Sequence, residues 1–154
     1  MYLGIGKQDA WANEKMPPKD DPKRKTIQDP IGYKKVKKVS LSRKLEEGEE
    51  PKYPTVNYGT QEFLLVPEEE GYNEQADLVY VETDILGDEF KPGEYRQVGL
   101  YIEMKPKEEG KRVLLPQDVQ DPGKLMVVEN RQQQNRTPDV QVKEIFILSF
   151  APIA

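Results

Sequence analysis

Gly4, Gly6 and Lys7 stand close together in YLGIGKQDAW, residues 2–11, and these are residue types from which a phosphate-cradling loop is built. That chemistry needs Gly, four residues, then Gly-Lys-Ser/Thr, placed between a buried strand and a helix. Here Gln8 follows Lys7, only three residues precede Gly4, and Pro17, Pro18, Pro22 and Pro30 leave no room for a helix. The spacing reads instead as a short strand from Tyr2 to about Gly6 that ends in a turn. Trp11 then anchors the loop by burying its large ring where apolar residues are scarce; its other reading is an anchor for a partner.

The acids are the next candidates. Asp20-Asp21, Glu46-Glu47, Glu49-Glu50 and Glu68-Glu69-Glu70 are paired along the chain. A catalytic pair needs two carboxyls held across a cleft, one with a raised pKa. Adjacent acids in polar segments read as solvated surface. A calcium loop requires acids at alternate positions, Gly at the sixth and Glu at the twelfth, and no stretch fits. The chain has no His and no Cys, which removes the commonest general base, the commonest metal ligand and any thiolate site together. The serines lack a G-x-S-x-G elbow. The expectation is a protein that is not an enzyme, with no catalytic residues, no metal, no cofactor and no small-molecule substrate.

The elements that would position these residues are strands. In Tyr95–Met104, Val98, Leu100, Ile102 and Met104 alternate with Gln97, Gly99, Tyr101 and Glu103, which predicts one buried and one wet face. Val39 and Leu41 alternate with Lys38, Ser40 and Ser42, with Arg43 extending the apolar row. Phe63–Val66, Leu78–Val81, Leu125–Val128 and Ile145–Phe150 are short apolar runs that predict strands covered on both faces or laid against a partner. Pro92-Gly93, Asp121-Pro122-Gly123 and Thr137-Pro138-Asp139 mark turns. Helix signals are poor, with at most a single turn near Leu114–Val119. The fold class is therefore all-β, an antiparallel β-sandwich with long irregular loops, in one domain over 1–154 with excursions at 7–32 and 44–60. Loops this long are functional or disordered unless neighbours order them.

Composition points the same way. Apolar residues make up 36% of the 154 and charged residues 33%, so the core is thin. Each ordered residue costs roughly 1–2 kcal/mol of backbone entropy, and such a chain gains from a partner. No apolar run reaches the roughly 18 residues of a membrane span, and the N-terminus lacks a secretory pattern. The expectation is a protein that stays in the cytoplasm or leaves it inside an assembly, with no membrane partner. The net charge of −5 is unevenly spread: residues 1–45 hold twelve Lys/Arg and five Asp/Glu, whereas residues 53–90 hold ten acids and no Lys/Arg. Few aromatics accompany the basic half and the whole chain is acidic, which opposes nucleic-acid binding. Solvated surface is one reading, and complementary faces meeting between subunits another. Glu129-Asn130-Arg131, after the Leu125–Val128 run, and Arg96-Gln97, opening the alternating strand, also read two ways. Their guanidinium forks could pair with a carboxylate across an interface, or stay in solvent at strand ends.

These motifs, in order, resemble a known family. YLGIGKQDAW followed by Pro17-Pro18 resembles the N-terminal strand, Trp and Pro-rich loop of the T-even-type baseplate wedge subunit of contractile-tailed phages. Val39-Ser40-Leu41-Ser42-Arg43 is similar to the next strand of that subunit, which ends on Arg. Tyr95-Arg96-Gln97-Val98 resembles its aromatic-Arg-Gln-aliphatic strand start, LMVVENR at 125–131 its strand ending in Glu-Asn-Arg, and IFILSF at 145–150 its C-terminal strand. The T-even subunit is longer, with a large inserted domain where this chain has only the stretch around 44–60. The resemblance implies an antiparallel β-sandwich without catalysis, a homodimer docked on other wedge proteins, located in the virion tail baseplate and assembled in the host cytoplasm. It also implies that Trp11, Pro17, Pro18, Arg43, Arg96, Gln97, Glu129, Asn130 and Arg131 serve as partner interface or structural anchors. The alternative is a β-sandwich module that recognises glycan or peptide.

Overall fold

The computed structural model describes residues 1–149 and is all-β among them. Twelve strands occur: β1 (Tyr2–Gly6), β2 (Gly32–Lys35), β3 (Lys38–Lys44), β4 (Thr55–Tyr58), β5 (Gln61–Val66), β6 (Leu78–Ile85), β7 (Gly93–Ile102), β8 (Lys105–Pro106), β9 (Val113–Leu114), β10 (Val119–Asp121), β11 (Lys124–Arg136) and β12 (Val142–Ser149). Two single 3-10 turns, Glu68–Glu70 and Pro116–Asp118, are the helical segments among the described residues. The second lies where the sequence allows one turn. Phe150, the end of the predicted last strand, lies outside the described residues.

The described chain divides into two compact units, residues 1–36 with 84–142, and residues 37–83 with 143–149. The first holds a five-stranded sheet in the order β11-β7-β1-β2-β9, every neighbouring pair antiparallel, and the small β10-β8 pair. The second sheet runs β12-β6-β3-β5-β4.

In the first unit the register pairs Gly4 with Gly99, Leu3 with Leu100 and Ile5 with Val98. Leu3, Ile5, Val98 and Leu100 are all buried, and for Val98 and Leu100 this is the face that the alternation predicts. The other face of β7 is also buried, contrary to the expected wet face: Gln97, Gly99 and Tyr101 are covered. The cause is the return of the 7–32 excursion across it. The Ile27 N–H donates to the Tyr101 hydroxyl at 2.9 Å and the Gln28 N–H to Gln97 Oε1 at 2.6 Å. Ile27 fits because two glycines face each other beneath it. A Cβ on Gly4 would lie 2.9 Å from Ile27 Cδ1, and one on Gly99 2.8 Å from Ile27 Cγ2. Gly6 serves the same purpose, since a Cβ there would meet the Gln28 carbonyl at 2.4 Å. The Lys7 N–H donates to that carbonyl at 2.7 Å. The glycines of YLGIG thus make a slot for the loop. Around it Tyr2, Ile27, Tyr33, Tyr101, Met104 and Leu114 form one apolar cluster, with Tyr33 and Tyr101 edge to face at 5.5 Å. Burial pushes the Tyr101 hydroxyl up to about 12.

Leu125–Val128 is only half-buried, with Met126 43% exposed, because β11 is an edge strand with a single neighbour; of the two readings for this run, cover on both faces by its own chain does not hold. Glu129-Asn130-Arg131 does not follow the strand but lies inside it.

In the second unit Phe63–Val66 is buried throughout, as expected. The face of β3 is reversed. Val39 is 51% exposed, and Ser42 is buried instead. Ser40 pairs with Tyr80 and Ser42 with Leu65 and Leu78, so the small serines share a face with large side chains and leave them room. The 44–60 excursion is shorter than expected, because Thr55–Tyr58 is strand and turns through Gly59, with φ +63°, to pair with β5.

Candidate functional site: a loop clasped to two strands

Most of the residues singled out from the sequence come together in the first unit, where they hold the 7–32 loop on β7 and β11. Trp11 is buried, and its Nε1–H donates to the Arg131 carbonyl at 2.7 Å. The Lys7 ammonium lies 5.0 Å from the Trp11 ring centroid. Arg96 is 3% exposed. Its Nε donates to Glu14 Oε1 at 2.7 Å, its Nη2 to Glu94 Oε2 at 2.8 Å and its Nη1 to the Gln8 carbonyl. Burial opposes its charge, and the bonds to Glu94 and Glu14 outweigh burial, so its pKa is raised.

Gln97 and Asn130 face each other across the β7–β11 register. Gln97 Nε2 donates to Asn130 Oδ1 at 2.7 Å. The Asn130 Nδ2 then reaches the carbonyls of Pro18 at 3.1 Å and Lys19 at 3.3 Å, and its N–H donates to Asp20 Oδ1 at 2.6 Å. One amide therefore ties two strands to the Pro-rich turn. Pro17 is half-buried and Pro18 exposed. Proline fixes φ and donates no backbone hydrogen bond, so the Pro18 carbonyl is held at a preset place for Asn130. Gln132 Nε2 adds a bond to the Lys15 carbonyl at 3.1 Å. Glu129 and Arg131 pair with one another along β11, with Nη2 to Oε2 at 2.5 Å.

Arg43 stands apart from this set, in the second unit. It makes a bidentate pair with Glu49, Nη1 to Oε1 at 2.8 Å and Nη2 to Oε2 at 2.5 Å, and Nη2 also reaches Glu74 Oε2 at 2.9 Å. The Arg43 hydrogen bond is the main reason that Glu49 is lowered to about 2 and that Glu74 is lowered as well. This latch holds the charged 45–54 segment and the 71–77 turn on β3.

Several residues of these networks carry no sequence signal. Glu14, Asp20, Ile27 and Gln28 act through positions distant in sequence, which only the register brings near. Arg136, at the end of β11, is 3% exposed. It donates through Nη2 to the Lys91 carbonyl and lies 5.4 Å from the Phe90 centroid. Burial lowers its pKa. No cluster of three or more His, Cys, Asp or Glu placed to hold a metal occurs among the described residues, and none of their helices is long and apolar enough to cross a membrane.

An all-β chain whose long loops are fixed by its own ion pairs and amide bonds has the build of a structural protein that presents surfaces. The family described as baseplate wedge 3 tail fiber network component matches residues 1–150, and the chain belongs to that family. It is 51% identical over 150 residues to virion protein 3 of Enterococcus phage phiEF24C, a match covering 97% of this chain and 83% of that protein. The chain is a structural component of a phage tail, located in the baseplate of the virion. Association with other baseplate or tail proteins follows from that membership.

Proposed function

We propose that the chain is a wedge subunit that forms a homodimer and docks on other wedge proteins, with no catalytic step. The observation that carries this reading is the clasped loop. Residues 7–31 contain no strand or helix, yet Trp11, Arg96, Gln97 and Asn130 hold them on the sheet while Lys15, Met16, Pro18 and Lys19 stay exposed. A loop ordered in advance spares association the cost of immobilising it, roughly 0.5–1.5 kcal/mol for each rotamer-rich side chain. In this reading Trp11, Pro17, Pro18, Arg96, Gln97, Glu129, Asn130 and Arg131 are anchors that shape the docking loop, and Arg43 does the same for the 45–54 segment. Size-exclusion chromatography with light scattering, on the chain alone and co-expressed with neighbouring tail proteins, tests it. Dimers and hetero-complexes are expected; a stable monomer that binds none of those proteins would overturn it.

A further inference from the structure

We propose that Tyr72 and the acids beside it on one copy seat in a groove between residues 20–25 and β11 on a second copy. This rests on the homodimer reading above and names its contact. The groove has a volume of about 390 Å³, with Leu125–Val128 as its apolar floor and Asp20 to Arg24 as its wall. It continues into a second hollow of about 380 Å³ whose rim carries Lys23, Lys25 and Lys124. The wall acids are already engaged: Asp20 accepts from the Asn130 N–H at 2.6 Å and Asp21 from the Lys23 N–H at 2.9 Å. The three lysines form no ion pair among the described residues. The groove and its continuation together offer an apolar floor, a wall that carries Asp20 and Asp21, and beside them a rim of three lysines without ion pairs.

Tyr72 is the matching knob. It is 95% exposed, more than any other large apolar side chain of the described residues, so its own chain leaves it uncovered. It sits on a rigid turn, braced by the Gly71 N–H to the Glu68 carbonyl at 3.2 Å, Glu74 N–H to Glu70 at 2.9 Å and Ala76 N–H to Gly71 at 2.9 Å. Glu68, Glu69 and Asp77 flank it, all exposed. A rigid aromatic is the side chain that contributes most when it fills a pocket at an interface. The charges also match at larger scale. The unit bearing the groove has 17 Lys/Arg against 16 Asp/Glu, and the unit bearing Tyr72 has 6 against 12. Two such contacts exchanged between two copies close a two-fold dimer.

Sedimentation equilibrium across a concentration series tests the contact. Tyr72→Ser, at a position exposed enough to leave the fold unchanged, is expected to weaken self-association roughly tenfold or more. Lys23→Glu with Lys25→Glu and Lys124→Glu, and separately Glu68→Lys with Glu69→Lys, are each expected to weaken it, increasingly so at low salt. Mixing the two reversed variants restores association, because each groove then meets a knob of opposite sign. A wild-type dimer indifferent to Tyr72→Ser and to both reversals would overturn this contact and leave the homodimer standing. Failure of the reversed pair to associate when mixed, both being folded by circular dichroism, would also overturn it. A wild-type chain monomeric throughout would overturn both.

Discussion

The loop after Gly6 and the segment after Lys44 are both long, charged and free of helix, yet different chemistry holds them. The first is fixed mainly by neutral donors and acceptors that reach backbone groups: Trp11 to the Arg131 carbonyl, Gln28 to Gln97, Asn130 to Pro18 and Lys19. Its one ionic anchor, Arg96, is buried. The second depends on ion pairs near the surface: the Arg43 cation shared between Glu49 and Glu74, with Lys52 adding a looser pair to Glu74 at 3.6 Å. Bonds to backbone fix where a chain runs, because each names one carbonyl or one N–H. An ion pair at the rim tolerates sliding and is screened by solvent. The Trp11 loop should therefore behave as part of the sheet, and the Arg43 segment as an appendage that opens on its own.

Trp11→Ala should do the most damage. Loss of a buried aromatic costs about 3–5 kcal/mol, and the Arg131 carbonyl also loses its donor. Urea unfolding should show that loss, and amide exchange should rise over residues 8–30 ahead of the sheet. Exchange that stays slow there would mean that the loop is held elsewhere, and the contrast with the Arg43 segment would dissolve.

Gln97→Leu comes next. Leucine nearly preserves the volume, so the loss measures hydrogen bonding: about 1 kcal/mol or somewhat more for leaving partly buried polar groups unpaired, here Asn130 Oδ1 and the Gln28 N–H. A thermal melt of Gln97→Leu, Asn130→Ala and the double variant should show coupling, because both belong to one network. Additive losses would break the idea of a single clasp.

How much of this was legible in the sequence differs between the two regions. Strand content, the short β1 and Trp11 as an anchor could be read from alternation and composition. The purpose of the glycines could not, since Gly4 and Gly99 make a slot only once β1 and β7 are in register. For the same reason the far face of β7 was expected to be wet: the chain that covers it, Ile27 and Gln28, lies some 70 residues away and gives no periodic signal. On β3 the apolar residues do not mark the most buried position, because Ser42 is buried and Ser40 half-buried for their small size rather than their polarity. The sequence groups Arg43 with Trp11 and Arg96, but its partners Glu49 and Glu74 lie in polar runs where one acid looks like another.

Acid should separate the two regions. Glu49 is lowered to about 2, chiefly by its hydrogen bond from Arg43, against an unfolded value of roughly 4.3. A depressed carboxyl adds stability that is present above its unfolded pKa and lost as pH falls through the folded one. The Arg43 latch should thus hold at neutral pH and weaken from about pH 4 toward about 2. The bonds of Trp11 to the Arg131 carbonyl, of Gln97 to Asn130, and of the Asn130 amide to the Pro18 and Lys19 carbonyls join groups that do not titrate, so they persist across that range. Limited pepsin digestion at descending pH should cut within 45–54 before it cuts within 7–32, and Arg43→Ala should allow the first cut at higher pH. Simultaneous cleavage of both segments would mean that they share one opening.

The smallest effect is expected at Arg131, where backbone and side chain have separate tasks. Its carbonyl receives the Trp11 indole, a bond that no replacement of the Arg131 side chain removes. Its guanidinium pairs with Glu129 two residues back on the same edge strand, both partly exposed. Exposed pairs of this kind contribute roughly 0–1 kcal/mol, so Arg131→Ala should leave the urea midpoint within that margin and the exchange protection of 8–30 unchanged. Any larger fall would mean that the side chain, and not only the main chain, belongs to the clasp. With the fold intact, weaker association of Arg131→Ala with neighbouring tail proteins would assign the guanidinium to docking, which is where the clasped loop and the edge of β11 meet solvent together.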